Sequence, residues 1–269
     1  MNPTWTSDCG TVRLYQGDCL HILPTLEEGS VDCVIVDPPY SSGGAFRGDR
    51  AQSVHAKYVQ SGSSSHDRLL GFSGDSRDGF GYWYTVAMWT AAARVACKPG
   101  AVMAMFTDWR QLMATCGALQ TGGVVYRGVV PWYKRTARPT QGRWANACEY
   151  VVWGTNGPRE LDGPPLPGFF QVDPPAGTER EHITQKPVAL LELLLPVAFG
   201  GTVLDFCLGS GTTGVACVHA GLPFIGIELD RPHFETSKKR IQEAFRSRSF
   251  LEGKATNGPR QKTLLEGGE

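Results

Sequence analysis

The stretch from Thr202 to Asp230 limits the fold of this 269-residue chain more than any other. An apolar run over 202–208 is followed by Gly209-Ser210-Gly211-Thr212-Thr213-Gly214, a helical segment to Ala220, and a second apolar run, Phe224 to Ile227, ending at Glu228-Leu229-Asp230. Strand, glycine turn, helix and strand in this order make a βαβ unit, which requires a mostly parallel sheet with helices on its faces. Gly209, Gly211 and Gly214 satisfy G-x-G-x-x-G, and Glu228 closes the next strand. Glycines let backbone approach a nucleoside ligand, and a carboxylate one strand on can grip ribose hydroxyls. The glycines alone leave the nucleoside open. An NAD-type dinucleotide would place its pyrophosphate on the helix N-terminus. S-adenosylmethionine carries no phosphate, and an acid before the loop, Asp205, suits its ammonium better than a pyrophosphate.

A second constraint is Val31 to Tyr40, VDCVIVDPPY. Its β-branched run reads as a buried strand of a parallel sheet. Pro38 and Pro39 have no N–H to donate, so they end the ladder at once. The result is a rigid turn carrying the Asp37 carboxylate, the Pro38 carbonyl and the Tyr40 ring. In open α/β sheets ligands bind beyond the carboxyl ends of the strands, which is where this turn falls. On the tetrapeptide alone, a capped turn with a rim aromatic would look the same.

The remaining elements fit around these two. A strand over 11–16 and a short helical segment, Cys19 to Leu26, precede the Asp37 strand, with Gly17-Asp18 at the first strand's end. Residues 41–81 are rich in Ser, Gly, Arg and His, with little apolar periodicity, and read as a flap over the site. A disordered insertion would have the same composition. Helices are expected over 82–97 and 110–119, a buried strand over 101–107, and antiparallel strands over 124–132 and 150–153. The loop between these last two holds Lys134, Arg135, Arg138 and Arg143 among aromatics, which suits phosphate contact and base stacking. Residues 154–181 read as a Pro/Gly-rich connector, and His182 to Pro187 opens a helix whose apolar stripe is Leu190, Leu191, Leu194 and Leu195. A last helix is expected over 232–245, and 251–269 as a flexible tail.

Composition excludes some classes. With Lys+Arg 26 against Asp+Glu 26 the chain is not a general polycation, although 41–160 holds 14 basic against 7 acidic residues, an excess of 14 − 7 = 7. The eight cysteines include no C-x-x-C pair, so a zinc or redox site of that kind is not expected. The most apolar helix, 188–199, is too short for a membrane span and carries Glu192. A reducing cytoplasm is the simplest setting.

The order of motifs resembles that of the β-group amino-methylating (adenine-N6 or cytosine-N4) DNA methyltransferases, in which Asp-Pro-Pro-Tyr comes first and the glycine motif late. The chain has DPPY at 37–40, HITQKP at 182–187, DFCLGSGTTG at 205–214 and GIELDRPHFETSKKRI at 226–241, with GDC at 17–19 similar to the family's opening motif. The resemblance covers roughly 11–245. It departs from the family after Asp205, where Phe206-Cys207 replaces the usual Pro-Phe.

The resemblance implies a Rossmann-like, mostly parallel seven-stranded methyltransferase sheet with helices on both faces and inserted DNA-recognition loops, as one domain over 1–250. It implies site-specific methyl transfer from S-adenosylmethionine to an exocyclic amine in double-stranded DNA, with no metal and no membrane. The expected catalytic residues are Asp37, Pro38, Pro39 and Tyr40. Around the cofactor it places Asp18 on the adenine amine and Glu228 with Leu229 at the ribose. Asp205, Phe206, Gly209, Ser210, Gly211, Thr212, Thr213 and Asp37 surround the methionine, and Lys186 and Thr184 take its carboxylate. Asp at the first motif position goes in the family mostly with adenine N6; cytosine N4 is the alternative within the family. An NAD-type oxidoreductase is the alternative of another class. A homodimer and a cognate restriction endonuclease stay open as partners.

Overall fold

The structure, a computed structural model, describes residues 1–40, 75, 77–136, 141–142, 144–160, 163–174 and 185–256, the last seven as backbone. Its strands are β1 (Trp5–Thr6), β2 (Val12–Gln16), β3 (Val31–Val36), β4 (Cys97–Thr107), β5 (Val125–Tyr133), β6 (Cys148–Thr155), β7 (Phe170–Gln171), β8 (Val203–Asp205) and β9 (Phe224–Glu228). The helices are α1 (Cys19–Ile22), α2 (Gly79–Ala96), α3 (Leu112–Thr121), α4 (Val188–Leu194), α5 (Thr212–Ala220) and α6 (Arg231–Thr256).

All nine strands join one sheet in the order β1-β2-β9-β8-β3-β4-β6-β5-β7. β2, β9, β8, β3 and β4 run parallel, so their carboxyl ends share one edge. β6 runs antiparallel between β4 and β5. Period-two alternation along β3 and β4 sorts the core into two layers. Cys33, Ile35, Val102, Ala104 and Phe106 face the side covered by α4, α5 and α6 residues such as Leu190, Val215 and Ile241. Val34, Val36, Met103 and Met105 face the side covered by Ile22, Tyr82, Val86 and Leu119 of α1–α3. From Cys33 to Val36 β3 is buried on both faces, which is why that run is continuously apolar rather than alternating.

Several expectations need correction. The sheet has nine strands, not seven: β1 and β7 are two-residue pairings at the edges, too short to leave a periodicity. β7 lies inside the supposed connector, fixed by buried Phe170 and by Trp132 Nε1, which donates to the Val172 carbonyl at 2.7 Å. Residues 79–81 belong to α2 and not to the flap, because Asp78 caps that helix by accepting from Gly81 N at 2.7 Å. The other flap residues, 41–74 and 76, lie outside the described residues. The helix at 188–199 is α only to Leu194 and continues as a 3₁₀ turn over Leu195–Ala198, where Pro196 has no N–H for an α bond. α6 runs to Thr256, so 251–256 are helical, and 257–269 of the expected tail lie outside the described residues.

Candidate active site

The shared edge gathers the carboxylates. Asp205 is the last residue of β8 and Glu228 the last of β9, while Asp37 directly follows β3 and Gly17-Asp18 follow β2. Parallel pairing sets Asp205 opposite Gly226 and Gln16 opposite Glu228, and Gly17 N donates to the Glu228 carbonyl at 2.8 Å.

The glycine turn is built from the acids and glycines together. Asp205 accepts from Cys207 N at 3.0 Å and from Thr213 Oγ1 at 2.7 Å. Glu228 accepts from Gly209 N at 2.7 Å and from Asp230 N at 2.9 Å. Burial pushes both carboxyls up to about 7, the bonds they accept pulling the other way. Arg240 of α6 donates from one Nη to the Ser210 carbonyl at 2.6 Å and to Ser210 Oγ at 3.0 Å, pinning the turn from behind. Gly211 sits at φ +81, and a Cβ there would lie 2.8–2.9 Å from Ser237 of α6. A Cβ on Gly214 would lie 2.5 Å from Ile241. Both glycines are packing requirements between the turn and α6. Gly209 differs. At φ +54 its Cβ position has, among the described residues, only the Cys207 carbonyl, 3.9 Å away, which leaves room for a ligand to approach the backbone. Thr212 and Thr213 begin α5, Phe206 is buried edge-on to Trp89, and Leu229 is half exposed. Asp18, expected at an adenine amine, caps α1 by accepting from Leu20 N at 2.9 Å through one carboxylate oxygen.

The Asp-Pro-Pro-Tyr turn carries a chain of alternating charges. Lys186 Nζ donates to Asp37 Oδ2 at 2.7 Å and lies 3.4 Å from Glu149 Oε2. Lys134 Nζ donates to Glu149 Oε1 at 2.7 Å. Tyr40 OH donates to Glu149 Oε2 at 3.1 Å and lies 3.3 Å from Lys186 Nζ. Lys186 also lies 5.4 Å from the Tyr40 ring centroid and 5.3 Å from that of Phe106, within cation–π range of both. Burial alone would raise Glu149, but the two lysines outweigh it and hold its carboxyl at about 2. Burial disfavours the Lys186 ammonium, yet Asp37 and Glu149 outweigh that and raise it. Burial also raises Asp37, and Lys186 only partly offsets it. Asp37 Oδ1 is buried and has no hydrogen-bond partner among the described residues. A buried acceptor in that state costs free energy unless a donor reaches it.

The basic loop is therefore divided differently from the expectation. Lys134 turns inward to Glu149 and stands 5.4 Å from the Trp132 ring centroid, so it is not a free phosphate contact. A lysine beside a buried carboxylate gains more there than in solvent, and Glu149 lies across the hairpin from it. Arg135 is exposed and bonds Asp173 through Nε at 2.9 Å. Arg138, Arg143 and Thr184 lie outside the described residues. Lys186, expected at a cofactor carboxylate, is buried against Asp37 and Glu149. Glu149 itself escaped the sequence reading. Its signal was one acid in the apolar run Cys148 to Trp153.

Comparison with known proteins extends the pattern. A family model described as DNA methylase matches residues 160–239. The chain is 24% identical over 271 residues to the type II methyltransferase M2.MboI of Moraxella bovis, covering 90% of this chain and 92% of that protein. It is 27% identical over 232 residues to the putative methylase YubD of Escherichia coli K12, covering 85% and 89%. Its fold is similar to the M1.HpyAVI–SAM complex, with TM-score 0.60 and 23% identity over 86% of this chain and 98% of that one. It is also similar to the cytosine-N4-specific PvuII DNA methyltransferase, with TM-score 0.64 and 15% identity over 91% and 94%.

Proposed function

We propose that this chain is an amino-methylating DNA methyltransferase and that it transfers a methyl group from S-adenosylmethionine to the N6 amine of a flipped-out adenine in double-stranded DNA. The observation that carries the proposal is Asp37 Oδ1, a buried acceptor without a partner among the described residues, on a turn whose other carboxylate oxygen is held by Lys186.

The residues at the glycine turn fit S-adenosylmethionine better than NAD. Two buried acids, Asp205 and Glu228, line the turn, and Gly209 leaves open space beside them. Asp205 attracts an ammonium where a pyrophosphate would be repelled, and Glu228 accepts from ribose hydroxyls, which both ligands carry. Glu228 with Leu229 is assigned to the ribose and Asp205 to the ammonium. Gly209, Ser210, Gly211, Thr212, Thr213 and Phe206 enclose the methionine end, and Asp18 keeps one carboxylate oxygen beyond its helix cap for the adenine. When bound, S-adenosylmethionine supplies a methyl group on a positively charged sulfur.

An exocyclic amine is a poor nucleophile because its lone pair is delocalised into the ring, and inside a duplex it is out of reach, so the base must leave the stack at a cost of about a few kcal/mol. Asp37 Oδ1 and the Pro38 carbonyl accept the two amine hydrogens, which turns the lone pair toward the methyl. Pro39 keeps the turn rigid. The Tyr40 ring stacks on the base, a contact worth about 1–3 kcal/mol. Methylation would leave the amine with one proton too many, which Asp37 Oδ1 is placed to take. Holding both reactants aligned supplies much of the acceleration.

Asp37 favours adenine over cytosine by the family's habit. DNA contact is assigned to the hairpin between β5 and β6, where Trp144 is 93% exposed and Arg135 is exposed. The test is to incubate the protein with tritiated S-adenosylmethionine and genomic DNA from a methylation-deficient bacterium, then separate the nucleosides. Label in N6-methyldeoxyadenosine is expected. Label in N4-methyldeoxycytidine would move the amine to cytosine, and unlabelled DNA would overturn the reading.

A further inference from the structure

We propose that Glu149 is a positioning residue for the methyl transfer, holding Tyr40 and Lys186 in place so that Asp37 keeps one oxygen paired and the other aimed at the substrate amine. The inference rests on the methyltransferase reading above and deepens it, because nothing about β6 required an acid at this position.

Geometry carries the argument. One carboxylate oxygen of Glu149 faces both Tyr40 OH, at 3.1 Å, and Lys186 Nζ, at 3.4 Å, and the other is taken by Lys134 at 2.7 Å. Glu149 thus reaches the two groups that flank Asp37 without being in hydrogen-bond contact with Asp37 itself. Lys186 and the ring of Tyr40 come from segments 146 residues apart, and Glu149 falls between them, 109 residues after Tyr40, so no local backbone preference sets their relation. Remove the carboxylate, and Lys186 keeps one acid instead of two while the Tyr40 hydroxyl loses its acceptor. The cluster is buried: the side chains of Lys186, Glu149 and Lys134 are 7, 18 and 20% exposed. Water cannot readily replace the missing charge there.

The charges facing Asp37 are Lys186 from the segment before α4, Glu149 from β6, and Asp75; Asp205 at the end of β8 also senses its charge. Lys186 favours its ionised form, whereas Glu149 and Asp75 oppose it. Converting Glu149 to a neutral amide removes one opposing charge, so the acid limb of the rate profile, set by ionisation of Asp37, moves to lower pH. A shorter acid keeps the charge but gives up the reach.

The experiment compares wild type, Glu149→Gln and Glu149→Asp by steady-state methyl transfer to methylation-deficient genomic DNA across pH 5–9, with calorimetric S-adenosylmethionine affinity and thermal stability measured alongside. Glu149→Gln is expected to lower kcat about tenfold or more, to move the acid limb downward, and to bind the cofactor within about twofold of wild type. Glu149→Asp is expected to lower kcat with the acid limb in place. A folded Glu149→Gln with wild-type kcat, or one whose loss follows cofactor affinity alone with no shift of the acid limb, overturns the proposal. If Glu149→Gln does not fold, Glu149→Asp decides, and an unchanged kcat overturns it. Failure of the wild-type protein to methylate would instead strike the underlying reading, so the two failures separate.

Discussion

Lys186 Nζ donates to Asp37 Oδ2 across 2.7 Å, joining residues 149 positions apart and leaving Asp37 Oδ1 as the turn's open acceptor. This pairing makes the acid at the strand end a directional group. A carboxylate with both oxygens free could swing to either, whereas one fixed by a buried ammonium presents a defined lone pair. The same ammonium also neutralises Glu149, so the arrangement depends on three charges rather than two.

Removal of Lys186 should therefore be severe. Lys186→Met leaves Asp37 and Glu149 facing each other in a buried site with a single lysine, Lys134, on the far side of Glu149. Breaking a buried pair from one side typically costs about 3–5 kcal/mol. Urea unfolding should show a loss of that order, and near wild-type stability would mean that the cluster is hydrated and weak.

Asp37→Ala should separate chemistry from cofactor binding. Methyl transfer should fall by at least about 100-fold, the order found when one positioned polar group is removed from an active site. Affinity for S-adenosylmethionine should change little, since Asp205 and Glu228 hold the cofactor's ammonium and ribose. Retained turnover would exclude Asp37 as the amine acceptor.

The two raised acids predict a pH signature. Asp205 and Glu228 sit at about 7 in the fold against 3.8 and 4.5 unperturbed, so between roughly pH 4.5 and 7 the folded protein binds more protons than the unfolded chain. Stability of the cofactor-free protein should rise as pH falls from 8 to 5. Glu149, held at about 2, acts in the opposite sense only below about 4.5. Cofactor affinity should run the other way and strengthen as pH rises through 7, because an ammonium needs ionised Asp205. Calorimetry at pH 6 and 8 with wild type and Asp205→Asn checks this: the wild-type difference should shrink in the variant, leaving the part that Glu228 contributes.

Gly211→Ala should destabilise the turn that encloses the methionine end. The residue is at φ +81, and its new Cβ would overlap Ser237. A left-handed backbone and an overpacked contact each cost on the order of 1–3 kcal/mol. Thermal unfolding should drop accordingly, whereas Gly209→Ala, left-handed at φ +54 but with open space, should lose less stability and should also lose cofactor affinity.

Much of the fold and half of the site could be read from local patterns. The apolar runs at 31–36 and 224–228, the glycine turn and the prolines after Asp37 each declare themselves through neighbours a few residues away. Parallel pairing then brings Asp37, Asp205 and Glu228 to one edge, since parallel strands carry their last residues to the same side. Strand limits were less legible. β7 shows no pattern of its own and exists because Phe170 and the Val172 carbonyl meet Trp132.

Hydrophobic period, glycine freedom and proline's missing donor act within one element, so the strand–turn–helix frame and its acids are legible in the residues alone. The placement of the long charged side chains depends on packing between elements. Lys134 looked like a surface contact for DNA and Lys186 like a cofactor contact, yet both turn to Glu149, an acid that drew no attention in its strand. A buried charge takes its partner from whatever element packs opposite, here β6, which inserts between β4 and β5 beside the Asp37 turn.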